Sequence, residues 1–247
     1  MKIVYAADNR YGSALLLSRF IEIVKPLPVD LRVAAYRRST GDFSVDWTLD
    51  ALTNNFIEKK DNQSLTFNGN FEFLKREIER YEPDLIISDL EIYTSLIALD
   101  TRIELWQASP TLLYFALPKQ TKMSLGLSTK AKYVLYSDQR RKAAMEKVID
   151  GASKRLIVSH IGDVCDIEID SAFEFVRPEI LFSDRKARHS VKCEIEASDA
   201  FYNDQPFDIL DEPNDLENMI LQAFSDKKTI TINQQIQSLD THIKARL

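Results

Sequence analysis

The sequence predicts an α/β fold: a doubly wound, mostly parallel sheet of Rossmann-like type with helices on both faces. Three observations point there. Apolar runs of strand length recur at Ile3–Ala7, Leu31–Tyr36 and Asp84–Asp89. Segments with apolar residues at helical spacing lie between them, and strands alternating with helices over short connections imply a covered parallel sheet. The runs are also apolar without alternation, as strands buried on both faces must be.

The elements follow in order. Ile3–Ala7 is the first strand, and Asp8-Asn9-Arg10-Tyr11-Gly12-Ser13 the loop after it. Ala14–Lys25 carries Leu16, Leu17, Phe20, Ile21 and Val24 on one helical stripe, and Pro26 and Pro28 end it. Leu31–Tyr36 is the second strand. The polar stretch Thr40–Asn70 holds a helix around Trp47–Phe56 and a short strand at Leu65–Phe67. Phe71–Tyr81 is helical, with Phe73, Leu74 and Ile78 on one side, and Pro83 stops it. Asp84–Asp89 is the clearest strand, apolar within and acidic at its end. A helix over Ile92–Leu99 and a strand over Ile103–Trp106 follow. Thr111–Lys130 reads as a loop or broken helix. Then come a strand at Tyr133–Tyr136, a helix at Gln139–Asp150, and strands at Arg155–Ser159 and Phe173–Val176. Beyond Pro178 the sequence predicts a strand at Phe207–Leu210, a helix at Asp215–Phe224 capped by Asn214, and a terminal helix over Ile230–Leu247.

The 247 residues fit a Rossmann-like domain at 1–180 and a small C-terminal appendage at 181–247. A hydrophobic content of 45% and a charged content of 28% exclude a disordered chain. The net charge of -6 disfavours a generic nucleic-acid binder. Residues 191–226 are the acidic stretch, with ten Asp or Glu and a single Lys. Cys165, Cys193, His160, His189 and His242 show no zinc-ligand spacing, so no metal site is expected, and the cysteines read as free thiols. No apolar run is long enough to span a membrane, and the N-terminus lacks the pattern of a signal peptide. The expected location is the cytoplasm.

Ligands of open parallel sheets bind beyond the carboxyl ends of the strands, where loops and helix N-termini converge. Three places qualify. In the first loop, Gly12 permits a tight turn and Ser13 caps a helix, and the same amides can hold a ligand oxygen. At the end of the 84–89 strand, Ser88-Asp89-Leu90-Glu91 brings two carboxylates together. They can orient hydroxyls or supply a base, or they can serve as helix cap and dipole partner. After the 155–159 strand, His160 precedes Asp163, a pair suited to proton transfer or to structural hydrogen bonding. Arg37-Arg38 and Arg140-Arg141-Lys142 read as solvated basic clusters able to meet an anion. No GxSxG elbow, GxGxxG or GxxxxGK[ST] motif is present.

The opening Met1-Lys2-Ile3-Val4-Tyr5, with Tyr11-Gly12-Ser13 and Leu17-Ser18-Arg19, resembles the start of GT-B glycosyltransferases. Tyr81-Glu82-Pro83-Asp84-Leu85-Ile86-Ile87-Ser88-Asp89-Leu90-Glu91 is similar to that family's "PDLVISDFE" stretch, and Trp106-Gln107-Ala108-Ser109 falls where its next strand and loop belong. The similarity covers residues 1 to about 110 and extends more faintly to Pro178. It implies the N-terminal, acceptor-side half of a two-domain transferase. In that family a first-loop His often serves as base, and here the matching position is Ser13. The family's second domain binds the nucleotide-sugar through Gly-rich loops. This chain has six glycines, and 181–247 corresponds at most to a remnant of that domain.

The resemblance implies a nucleotide-sugar donor, with no other cofactor, and a sugar acceptor. Asp89, Glu91 or His160 would act as base, and Arg10, Gly12, Ser13 and Ser109 would bind ligand. It implies a minimal transferase, one subunit of a split transferase, or a non-catalytic binding protein with a degenerate transferase fold. An uncovered face where a second domain would sit would make the chain a homo-oligomer or the partner of another subunit.

Overall fold

A computed structural model of the chain describes residues 1–7, 17, 20, 21, 24–36, 56–59, 67–124, 139–158, 168–177 and 237–247. The strands are β1 (Lys2–Ala6), β2 (Asp30–Tyr36), β3 (Phe56–Lys59), β4 (Leu85–Ser88), β5 (Glu104–Ala108), β6 (Lys154–Val158), β7 (Glu174–Arg177) and β8 (Gln237–Ser238). They form one sheet in the order β3-β2-β1-β4-β5-β6-β7-β8, and every neighbouring pair is parallel. The chain adds strands on one side of β1, then crosses back to add the rest on the other. That is the predicted doubly wound α/β fold.

Alternation along the strands splits the core into two layers. Ile3, Tyr5 and Ala7 of the first strand and its end share one face with Leu85, Ile87, Trp106, Leu156, Val158 and Val176. Leu17, Phe20 and Val24 of the N-terminal helical segment cover that face, joined by Leu239 and Ile243 of α6 (Leu239–Lys244). Val4, Ala6, Ile86 and Leu105 point the other way. They meet Leu74, Ile78 and Tyr81 of α1 (Phe67–Tyr81) and Ile97 and Ala98 of α2 (Ile92–Thr101). Further along that face, Ile157 packs against Leu112, Leu113 and Ala116 of α3 (Leu112–Ala116) and Met145 and Ile149 of α5 (Gln139–Asp150). Helices therefore cover both faces, and central strands with no solvent side need no polar alternation.

The strand edges differ from the expectation in physically informative ways. Phe56, placed at the end of a helix by the sequence, opens β3, which pairs with Val33–Tyr36. Phe67, placed at the end of a strand, opens α1. Pairing with a distant strand overrides local propensity in the first case. In the second, Asn68, Gly69 and Asn70 are poor helix formers and hide the first turn. Strand β5 begins one residue later than expected because Ile103 closes α2, its amide donating to Ala98 O at 3.0 Å behind a left-handed Arg102. It runs on to Ala108 through the polar Gln107. Strands β6 and β7 each move by one residue from their expected positions. The broken helix after Thr111 is α3 followed by α4 (Lys119–Ser124), separated at Leu117-Pro118. The expected terminal helix is shorter: Gln237–Ser238 is instead an edge strand on β7. The elements expected at 133–136, 207–210 and 215–224 lie outside the described residues.

Candidate functional site

The strand order reverses between β1 and β4, the position beyond whose carboxyl ends open parallel sheets place their ligand crevice. Ala6 pairs with Ser88, which brings the two strand ends level. The Asp89 amide donates to Ala6 O at 3.0 Å, and the Ala7 amide to Ala34 O at 3.0 Å. The turn that starts α2 is therefore pinned to β1.

This turn satisfies its own backbone. Leu90 adopts a left-handed conformation, φ 51°, which is unfavourable for leucine. Its amide donates to Gln107 Oε1 at 3.2 Å. The Glu91 amide donates to Ser88 Oγ at 2.9 Å. The Glu91 carboxylate then turns forward and caps α2, accepting from Tyr93 N at 3.2 Å and Thr94 N at 2.8 Å. Ser95 donates from N and Oγ to Glu91 O, at 3.3 and 2.6 Å. Gln107 Nε2 reaches Ser95 Oγ at 2.9 Å, and Ser88 Oγ lies 2.9 Å from the same hydroxyl. Ser88, Ser95 and Gln107 thus form a fully buried polar ladder between β4, α2 and β5. Beside it, Thr94 Oγ1 is buried with no hydrogen-bond partner among the described residues.

The electrostatics follow from this arrangement. Asp89 is 7% exposed and Glu91 3%, so two carboxyl-bearing residues sit almost out of solvent at one strand end. Tyr5, near the end of β1, is buried with its ring 4.7 Å from that of Phe20. Burial, and secondarily the charge of Asp89, push its phenol well above the usual range, so it stays protonated and neutral. Glu91 fills the position at which a helix N-terminus would hold a ligand anion. The amides of Asp89, Leu90, Glu91, Tyr93, Thr94 and Ser95 all have acceptors inside the protein. With six of its amides engaged, the turn offers mainly acceptors, which suits hydroxyl or ammonium groups better than phosphate oxygens.

Of the residues singled out in the sequence, Asp89, Glu91 and Ser109 are described, and the fold brings them to adjacent strand ends. Glu91 is the cap of α2; the alternative of a cap at Asp89 does not hold. Ser109, 1% exposed, ties β5 to β6: its amide donates to Leu156 O at 3.1 Å, and its Oγ accepts from Thr111 N at 3.3 Å ahead of α3. Arg10, Gly12, Ser13 and His160 lie outside the described residues, as do Arg37, Arg38 and both cysteines. Sequence reasoning missed Gln107, Ser95 and Thr94. Their signal was a polar residue inside the apolar run Leu105–Ala108 and two hydroxyls on the inner face of a helix. Among the described residues no group of three or more His, Cys, Asp or Glu converges as metal ligands, and no helix is long and apolar enough to cross a membrane.

No protein-family model matches the sequence, and no curated protein does. Solved structures share its chain path. The UDP-GlcNAc 2-epimerase of Methanocaldococcus jannaschii aligns with 64% of this chain and 40% of its own, at 10% identity and a TM-score of 0.41. The UDP-GlcNAc-bound UDP-GlcNAc 2-epimerase of Neisseria meningitidis aligns with 62% of this chain and 39% of its own, at 14% identity and a TM-score of 0.41. A glycosyltransferase of Streptomyces sp. SF2575 aligns with 75% of this chain and 56% of its own, at 13% identity and a TM-score of 0.43. The likeness is one of fold, and the chain spans less than two thirds of the length of each. Sugar transferases stand among these structures beside the epimerases.

Proposed function

We propose that this chain is the acceptor-side half of a GT-B-like sugar transferase, and that the crevice between β1 and β4 takes the hydroxyl-bearing acceptor. The observation that carries the reading is the engagement of six backbone amides of the turn 89–95, all but that of Ile92, beside two buried carboxyl-bearing residues. A sugar hydroxyl supplies a donor to these acceptors. The stretch resembling the GT-B motif, Pro83–Glu91, runs through β4 into the same turn, which supports the reading independently.

In the proposed reaction the acceptor oxygen attacks the anomeric carbon of a nucleotide-sugar. The bond from that carbon to the diphosphate breaks, the nucleoside diphosphate leaves, and the acceptor proton passes to Asp89. Asp89 is preferred as base over Glu91, because both Glu91 carboxylate oxygens are already committed to capping α2. Glu91 and Gln107 act as positioning residues that hold the turn. Arg10, Gly12 and Ser13 follow β1 in sequence, and His160 follows β6, which is separated from β4 by β5. They are proposed to complete the ligand contacts, with the diphosphate held by groups other than the 89–95 amides. A partner subunit or second copy would supply the donor-side surface.

Calorimetric titration with UDP-, GDP- and TDP-sugars, the free nucleotides and a panel of methyl glycosides tests this. The reading expects a glycoside to bind and Asp89→Asn to weaken it by roughly tenfold or more, the cost of losing a charge-assisted hydrogen bond. Binding of free nucleotide alone, unchanged by Asp89→Asn, would overturn the acceptor assignment. A glycoside that binds without turnover when every donor is supplied would favour the non-catalytic binding protein.

A further inference from the structure

On the β5–β7 side of the sheet, the C-terminal segment docks through a polar cluster. Leu239 and Ile243 of α6 are buried against Trp106 of β5 and the inward residues of β6 and β7. His242 between them is buried, 7% exposed. Its Nδ1 lies 3.1 Å from Lys154 Nζ, and its Nε2 lies 3.7 Å from Glu174 Oε2. Lys154 sits over the Trp106 ring, 4.7 Å from its centroid. Trp106 Nε1 donates to Glu104 Oε1 at 2.8 Å, and Arg246 Nε donates to Glu104 Oε2 at 3.0 Å. Strand β8 adds pairing of Gln237 and Ser238 with β7.

The proton inventory of this cluster fixes the state of His242. A lysine ammonium only donates, so Nδ1 must present its lone pair, and the ring proton sits on Nε2 facing Glu174. The contact exists for neutral imidazole alone. We propose that residues 237–247 are an acid-released clasp, in which protonation of His242 against Lys154 frees α6 and β8 from the β5–β7 face.

The charged groups facing His242 are Lys154 from β6 and Glu174 from β7. Arg246, two residues beyond the end of its own helix, is engaged by Glu104 of β5. A second proton on the ring would point Nδ1–H at an ammonium. Glu174 offsets this only in part, because its side chain is 58% exposed and stands beyond hydrogen-bond distance. Burial first, then the Lys154 charge, lower the His242 pKa, while Glu174 opposes them. The sign follows: the docked segment favours the neutral ring. Docking is fully retained above the ordinary histidine value of about 6.5 and weakens as pH falls from there toward the depressed docked-state value. Glu104 titrates separately. Burial raises its pKa, but bonds from Trp106 and Arg246 outweigh that and hold it below the ordinary 4.5, so the Arg246 contact is lost only at lower pH.

The test is amide hydrogen exchange of the full chain from about pH 7.5 to about pH 5, corrected for the intrinsic pH dependence of exchange. Residues 239–247 should lose protection several-fold on acidification while β1 and β4 keep theirs. His242→Asn, whose amide oxygen accepts from Lys154 without titrating, should hold its protection constant. Lys154→Met should shrink the acid loss without removing it, because burial still favours the neutral ring. Constant protection in the wild type, the same loss in His242→Asn, or parallel loss in β1 and β4 would each overturn the proposal. Proton NMR titration of His242 needs no variant: its midpoint should fall below the ordinary value, and a midpoint above it would sink the idea.

Discussion

Glu91 and Gln107 between them satisfy much of the backbone of the turn that leaves β4. Replacing Glu91 with Ala should cost about 1–2 kcal/mol, as the loss of an N-cap does, and lower the melting temperature. Gln107→Leu should cost about 1–3 kcal/mol, because it strands the Leu90 amide in a left-handed turn away from water. Thr94→Val keeps the shape and removes a buried hydroxyl that has no partner among the described residues. Stability should stay level or rise by up to about 1 kcal/mol in thermal melts. Asp89 and Glu91 were legible in the sequence because carboxylates end an apolar strand there. The division of labour between them was not legible. It depends on which way a turn with a left-handed Leu90 sends each side chain, and on a glutamine from the neighbouring strand. Ser109 was legible by position, but its bonds across to Leu156 need β6 alongside.

Among the elements, the strand over 84–89 and the helix over 139–150 were read almost residue for residue. In both, local periodicity and burial agree. Phe56 misled because β3 is defined by its pairing with Val33–Tyr36 rather than by its own pattern. Strand β4 has both faces buried, so Ile86→Ala should remove about 2–5 kcal/mol, read from denaturant midpoints. The α2–α5 contact is tight at Gly151, where an added Cβ would lie 2.6 Å from Leu99 Cδ2 and 3.2 Å from Lys147 O. The leucine tip can swing aside but the carbonyl cannot, so Gly151→Ala should destabilise by about 1–2 kcal/mol in the same assay.

Across the whole molecule, stability should grade from the centre of the sheet to its edge. Strands β1, β4 and β5 are covered on both faces, while β8 contributes two residues at one end. Their amides should therefore exchange in that order, slowest at β1 and β4. A parallel sheet with helices on both faces follows from a sequence rich in apolar, non-alternating runs, whereas the strand order needs the pairings themselves. The return of residues 237–247 to the β7 edge was not legible, because two residues carry no periodicity.

The central joint has a consequence for synthesis. Ile3 pairs with Leu31 on one side and with Leu85 on the other. Closing the longer loop costs only about 1 kcal/mol more than closing the shorter one, so the finished sheet is scarcely penalised. The order of events is another matter. As the chain leaves the ribosome, β1 can join β2 long before β4 emerges, and through that interval its second edge stays open. An unpaired, apolar edge is a template for other chains. Slowing translation between residues 36 and 85 should therefore raise the aggregated fraction.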